Sequence, residues 1–539
     1  MKTLILSSLE KVFKNEKPSA EEIKEFSMLK NERASFQVAL FSDIDVKLDI
    51  SCGFDGEVNI YTVEYVPVSL ACYENADDYY VRKEAGDYPD YLVPADGSVT
   101  LKAGEWKSVW FELIPDKAGK QKVSVTFTDS DGKTVSQKSV DVEVINAELP
   151  DTELVYTNWY HCDGIINYYG VPAFGEEFWR INENFVKTAA RHGMNCILTP
   201  VFTPPLDTKI GGERTTVQLV DVYHRGGRYI FKFAKLKRWI DMCQRCGIKY
   251  FEISHLFTQW GALHSPKVMA VDSHGRTKRI FGWDTKTKSK EYEKFILSLG
   301  KALTAFLEKN GIADRCFVHV SDEPSDDDLP VYLKRAALIK KAFPGYKVID
   351  ALSHPEFYQT GAVSQPIPST SAADKFYGNV PELWVYYCCG QHKNYLSNRF
   401  IAMPSQRTRV IGYQLYRYNV KGFLQWGYNF YNTCLSTKAI NPFEITDAGG
   451  FFAAGDAFVV YPGKDGEVYP SLRIKVFYDA LQDFRALKKL EELIGFDKTV
   501  EILEKECDEP ITFNSYPRSA GWHLKTRETI NKKIKELTE

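Results

Sequence analysis

The stretch CFVHVSDEP, Cys316 to Pro324, reads as a short buried strand ending in two adjacent carboxylates, Asp322 and Glu323. Side chains alternate across a strand, so Phe317, His319, Ser321 and Glu323 share one face and Cys316, Val318, Val320 and Asp322 the other. In a barrel of parallel strands, helices cover the outside, and Val318 and Val320 suit that face. His319, Ser321 and Glu323 then look inward. Strict alternation turns Asp322 outward, so both acids reach one place only if the strand has ended by Ser321 or Asp322. Pro324 cannot donate to a ladder and biases Glu323 to extended backbone, which makes such an ending plausible. An acidic loop, Ser325 to Asp328, leads into a helix. Carboxylates at the C-terminal end of a barrel strand sit where such folds do chemistry. The dipeptide alone favours a cap on that helix.

The surroundings favour the barrel. After Pro150 the pattern is strand then helix, repeated. Strands are expected at Val155–His161, Cys196–Phe202, Tyr250–Phe257, the Asp-Glu strand itself, Lys347–Leu352, Ala362–Ile367, Leu383–Cys388 and Gly422–Asn429. Pro366 and Pro368 interrupt the sixth. Helical stripes run through Phe178, Ile181, Phe185 and Ala189, through Leu236 to Cys246, through Tyr292 to Leu307, and over Pro330 to Ala342. A further helix is expected over Asn398 to Tyr418. A hairpin, Val217–Tyr223 with Tyr229–Phe233, interrupts the repeat, as does a long loop to Lys288 carrying Trp260, His264 and Trp283. Eight strands with helical connections make a (β/α)8 barrel.

Residues 1–149 look all-β, with strands at Arg33–Phe41, Val58–Val68, Val109–Ile114, Lys122–Phe127 and Val135–Val144 and a hairpin turn at Asp129–Gly132. They read as a β-sandwich. Glu32 and Arg33 look like a solvated pair. Past the barrel, Asp456–Tyr461 is extended and Leu472–Leu493 helical. The expected organisation is therefore a multidomain β plus α/β chain: a sandwich at 1–149, a (β/α)8 TIM-like barrel at 150–495, and a C-terminal helical extension, 496–539, packed on the barrel.

Composition limits the partners. A net charge of -3 with no basic block argues against a phosphate-bound nucleic acid. No window approaches a membrane span, and the apolar run Leu4–Leu6 is too short for a signal-peptide core. Eleven scattered cysteines then read as reduced thiols, with a cytoplasmic location. Cys243-Gln-Arg-Cys246 has redox or zinc spacing but no matching second pair, and reads as structural. Tyr (31 copies) and Trp (10 copies) are plentiful enough for ring stacking on sugars besides core packing.

An ordered series of motifs resembles glycoside hydrolase family 123 and the wider group called domain of unknown function 4091. It comprises NERASFQVAL (31–40), HVSDEPS (319–325), LWVYYCC (383–389), GFLQWGYN (422–429), GDAFVVYPG (455–463) and YPSLRIKVFYDALQDFRALKKL (469–490). The resemblance implies a sandwich followed by a barrel, a β-N-acetylgalactosaminidase-like activity on a carbohydrate, and a catalytic Asp-Glu pair falling on Asp322 and Glu323.

That pair suits substrate assistance. Retaining enzymes with a protein nucleophile need two carboxyls about 5 Å apart on either side of the bond, and sequence neighbours rarely straddle a sugar. If the substrate's 2-acetamido oxygen attacks instead, Glu323 serves as acid and then base, and Asp322 accepts the acetamido N–H. The Asp322 charge would help Glu323 stay protonated. Trp384 and Tyr386 on the seventh strand, Trp426 and Tyr428 on the eighth, and Trp260 in the long loop are candidate walls of the sugar pocket. Tyr386 is the candidate donor to the acetamido oxygen. Asn158, His161, His255 and Asn429 are candidate hydroxyl contacts. Each aromatic alone is about as often core packing, and each of the four polar residues alone is more often structural. No cofactor and no metal is expected. A metal hydrolase would need His161, His255, His319 and His354 to converge, without any HExxH-type spacing to support it. Two other readings compete: a two-carboxylate glycosidase on a non-acetylated sugar, with Glu252 as partner of Glu323, and an inactive carbohydrate-binding protein.

Overall fold

The computed structural model describes residues 1–539. Two five-stranded sheets form the N-terminal region. One has the order Lys2–Ser7, Ala34–Phe41, Trp106–Pro115, Gly56–Val68, Gly86–Pro94; the other Glu25–Leu29, Thr134–Ile145, Gly119–Thr128, Val46–Gly53, Ser98–Leu101. Alternate residues fill one apolar core between them: Phe36, Val38 and Leu40 from the first, Val123, Val125 and Phe127 from the second. Five strands are additional to those expected. Three of them are only four to six residues long, and Val46–Gly53 interleaves Asp49 and Ser51 with Leu48 and Ile50.

The barrel strands are Val155–Asn158, Cys196–Thr199, Tyr250–Ile253, Cys316–Val318, Lys347–Ala351, Gln365–Ile367, Trp384–Tyr386 and Gly422–Gln425, hereafter first to eighth. They pair in parallel, and the eighth closes onto the first. The weakest seam is between the sixth and seventh. It holds one bridge, Ser369 with Tyr386, and the bond from Tyr386 N–H to Pro368 O at 2.9 Å. Pro366 and Pro368 have no N–H to offer there, which is why this seam is thin. Phe317, Ile349, Ile367, Trp384 and Leu424 fill the barrel interior. Val318, Phe251 and Ile253 face the helices outside. Expected alternation therefore holds through Val318.

The expected helix over Asn398–Tyr418 is not continuous. Only Ser405–Arg409 and Ile411–Arg417 are helical. Pro404 disfavours helix in the residue before it, and residues 398–403 serve the interior instead. Arg399 is fully buried and donates to Gln425 and to Gly427 O. The two insertions also form more order than expected. Asp221–Arg225 and Arg228–Lys232 turn on Gly226-Gly227, both left-handed, and join Val268–Val271 and Thr277–Phe281 in one four-stranded sheet.

The helix Leu472–Ile494 runs along the seam between the β region and the barrel. Its Lys475 reaches Glu112 at 2.6 Å, its Arg473 grips Asp90 at 2.7 Å, and its Gln482 accepts Arg33 N–H at 2.8 Å. Glu32 and Arg33 are thus buried in this seam rather than solvated. The final helix, Ala520–Thr538, lies in the same seam rather than on the barrel alone. Arg527 bridges Glu32 (2.7 Å) and Asp483 (2.9 Å), and Glu528 accepts Ser27 N–H. No helix is long and apolar enough to cross a membrane. All eleven cysteines are free.

Candidate active site

The fourth strand ends at Val318, and the residues after it resolve the alternation problem. Val320 N–H and Ser321 N–H both donate to the carboxylate of Asp350 on the fifth strand, at 3.1 and 3.2 Å. A side chain thus replaces the strand partner, and the chain lifts off the sheet as an arch. Two bonds hold its far end: Glu323 N–H to Ala351 O (3.0 Å) and Trp260 N–H to Asp322 O (3.1 Å). Glu323 sits at φ +42°, a left-handed conformation that a glutamate adopts only under local constraint. With period two broken, consecutive residues need not face opposite ways. The expected helix cap is present too, but Ser325 and Asp328 make it as a capping box, which frees Asp322 and Glu323 from that duty.

Glu323 is exposed at the barrel mouth and Asp322 half-buried. Tyr386 Oη donates to Glu323 Oε1 at 2.6 Å, and the Cys388 thiol lies 4.0 Å from the same oxygen. Desolvation, then the charges of Glu323 and Asp350, push the Asp322 carboxyl well above the usual carboxylate range.

The other expected site residues divide into two groups. Tyr386 and Trp426 belong to the mouth, packed on the same interior cluster with Cys388. The Trp426 indole donates to Asp456 Oδ2 at 2.9 Å. Trp260, half-exposed, lies beside Asp322 through its backbone bond. The second group is occupied elsewhere. Trp384 is interior packing: it meets Phe317 edge-on, and a β-carbon on Gly422 would collide with its ring. Tyr428 points into the helical layer, donating to Phe185 O at 2.8 Å. Asn429 is spent on both backbone groups of His161. His161 is buried between Arg214 (3.0 Å) and Trp426 O (2.9 Å), and burial with Arg214 pulls it down to about 4. Asn158 is buried against Tyr156 and Arg399.

Below the mouth, Glu252 is also spent. It accepts from Thr157, from the Trp159 indole (3.0 Å) and from His319 Nε2 (2.9 Å), with no exposure. Glu252 is thus held by its own barrel, below the mouth where Glu323 stands. His255 stacks on His319 at 4.1 Å, and both of its buried ring nitrogens lack a protein partner. His161 and His354 do not join them: His354 sits at the surface on Asp326. His255, His319 and Asp350 approach one another closely enough to suggest a metal cluster. His319 has both nitrogens engaged, however, and Asp350 already accepts from His319, Val320, Ser321 and Tyr332. Of the three, His255 alone keeps a nitrogen without a protein partner.

A family model for the glycoside hydrolase 123 catalytic domain matches residues 159–490. The chain belongs to glycoside hydrolase family 123. Among solved structures, this hydrolase is similar to a family 123 glycoside hydrolase from Clostridium perfringens, described for glycolipid glycan hydrolysis. That likeness has 15% identity and a TM-score of 0.76, covering 99% of this chain and 98% of that one. Parabacteroides merdae β-glucuronidase is a far weaker likeness, with 12% identity, TM-score 0.32, and 87% and 52% covered. A family 5 mannosidase from Rhizomucor miehei has 11% identity and TM-score 0.31, with 62% and 92% covered. No curated protein matches.

Two acids of this family 123 hydrolase escaped sequence reading. Asp456, in the motif GDAFVVYPG, is fully buried beside Trp426, and desolvation raises it to about 7. A lone acid in an apolar run signals a buried partner, and that signal was available. Asp207 lies in the loop after the second strand at φ +39°; desolvation raises it to about 6, and its charge reaches Asp322. Nothing in the sequence around it marks that placement.

Proposed function

We propose that this family 123 hydrolase removes terminal β-linked N-acetylhexosamine, N-acetylgalactosamine foremost, with retention and with the substrate's acetamido oxygen as nucleophile. The observation that carries this is the pairing of adjacent carboxyls at one strand end, while Glu252 is already committed to buried bonds. The acetamido oxygen bonds to the anomeric carbon as the glycosidic C–O bond breaks, and Glu323 gives its proton to the leaving oxygen. Water then adds to the oxazolinium ion, Glu323 takes the proton back, and the 2-acetamido group is restored. Asp322 accepts the acetamido N–H and offsets the developing positive charge. Its raised proton affinity in the free protein comes first from desolvation, and an N–H donor replaces the lost hydration. Tyr386 aims Glu323, Trp426 and Trp260 wall the sugar, and the unpartnered nitrogens of His255 are available to a hydroxyl or a water.

The glycolipid glycan named for the Clostridium perfringens relative is compatible with a terminal sugar on a larger conjugate. On the same reading, 1–149 is a β-sandwich, 150–495 the catalytic domain and 496–539 a helical brace, with the salt-bridged seam holding the barrel against both. The test is nitrophenol release from aryl β-N-acetylgalactosaminide, its gluco isomer and the plain galactoside, with Glu323→Gln alongside. Cleavage confined to acetamido substrates and lost in the variant supports the reading. Equal cleavage of the plain galactoside sinks it.

A further inference from the structure

Beneath the arch, three ionisable side chains with no solvent exposure lie in line. His319 Nε2 is 2.9 Å from Glu252 Oε2, and its Nδ1 is 3.0 Å from Asp350 Oδ1. A neutral imidazole donates from one nitrogen only and would set its other lone pair against a carboxylate oxygen. With both carboxyls ionised, the form that satisfies both contacts is the imidazolium. Every neighbouring element contributes a group that faces it. Thr157 and Trp159 from the first strand and Cys196 from the second bind Glu252. His255 from the third strand stacks on the ring, and Tyr332 from the helix Leu329–Ala342 donates to Asp350. Asp350 also holds Val320 N–H and Ser321 N–H, the backbone that carries Asp322.

We propose that His319 is a positioning residue of this site: a buried cation that ties the Asp322–Glu323 arch to the barrel floor and offsets part of the negative charge that Glu323 and Asp350 set around Asp322. Four acids crowd this space, namely Asp322, Glu323, Asp350 and Asp207, with Glu252 below. His319 is the cation that acts on Asp322 among them. Desolvation works against its charge, but the bonds to Asp350 and Glu252 outweigh it and lift His319 to about 9. Neutral His255 adds no second charge, because burial holds it well below the ordinary histidine value. The inference rests on the role proposed above for Asp322.

Two measurements test it. His319→Gln retains a hydrogen-bonding side chain without the charge. The acid limb of its kcat/KM profile should move upward by about one pH unit or more, the scale of a nearby charge in a partly buried site. Its kcat should fall more than its KM changes. A uniform loss of activity with the acid limb in place would mean a merely structural role and overturn the proposal. Ring-nitrogen NMR of histidine-labelled wild type serves if the variant does not fold: His319 should remain doubly protonated at pH 8, and a neutral ring at pH 7 overturns the proposal. The NMR arm needs no substrate, so failure of the wild type to cleave any glycoside counts against the acetamido mechanism and leaves the role of His319 to be decided by the titration.

Discussion

Glu252 lies on the third barrel strand, at the floor, and Glu323 on the arch that follows the fourth, at the rim. At the floor, Glu252 is fully buried and accepts from a hydroxyl, an indole and an imidazole. At the rim, Glu323 is exposed, holds one tyrosine hydroxyl, and keeps its remaining lone pairs free. The same division separates the other polar residues: Asn158, His161 and Asn429 are spent on their own barrel, whereas Tyr386, Trp426 and Trp260 stand by the acids. Position at a strand end does not by itself mark a polar side chain as free for a ligand.

The largest effect should come from the rim. Glu323→Gln is expected to lower kcat by about 10³-fold or more, the upper part of the range for general acid–base groups, with unchanged unfolding. Wild-type turnover in that variant would erase the contrast. At the floor, Glu252→Ala leaves buried partners uncompensated and should cost about 3–5 kcal/mol of stability in denaturant unfolding. Normal stability with lost turnover would move Glu252 into the chemistry. Tyr386→Phe removes the bond that aims the Glu323 carboxyl, worth about 0.5–1.5 kcal/mol, so a roughly twofold to tenfold fall in kcat/KM is expected, with folding intact.

A pH experiment sharpens the comparison. Desolvation raises buried Asp456 and Asp479 to about 7. The folded chain therefore holds protons that the unfolded chain releases near pH 4, and the stability so gained is lost as pH rises through 7. The melting temperature should decline between pH 5 and 8, and Asp479→Asn should flatten that decline. An equally steep decline in the variant would remove Asp479 from the account. The smallest effect belongs to Tyr428→Phe: about 1 kcal/mol of stability from the lost bond to Phe185 O, and no change in turnover. Reduced turnover there would return Tyr428 to the sugar site.

Local chemistry alone determined a good deal. Period-two and period-3.6 patterns are set by nearest neighbours, and they located the eight strands and most of the enclosing helices, while the fourth strand ends at Val318, earlier than the Ser321 or Asp322 they allowed. The order of motifs marked the family. Thin places arose from the same cause: Pro366 and Pro368 weaken the sixth strand because they lack N–H groups, in sequence and structure alike. What only the tertiary structure decided is which polar side chains remain free. Asp350 lies 28 residues beyond Asp322 in sequence, yet its carboxylate makes the arch. Glu32 meets Arg527 across nearly the whole chain. Trp384 and Tyr386 have the same parity on one strand, but the first lies deep among Phe317 and Gly422 and the second reaches Glu323. Depth along a barrel axis, and the competition among distant groups for each lone pair, are properties of packing, and one-dimensional spacing does not encode them.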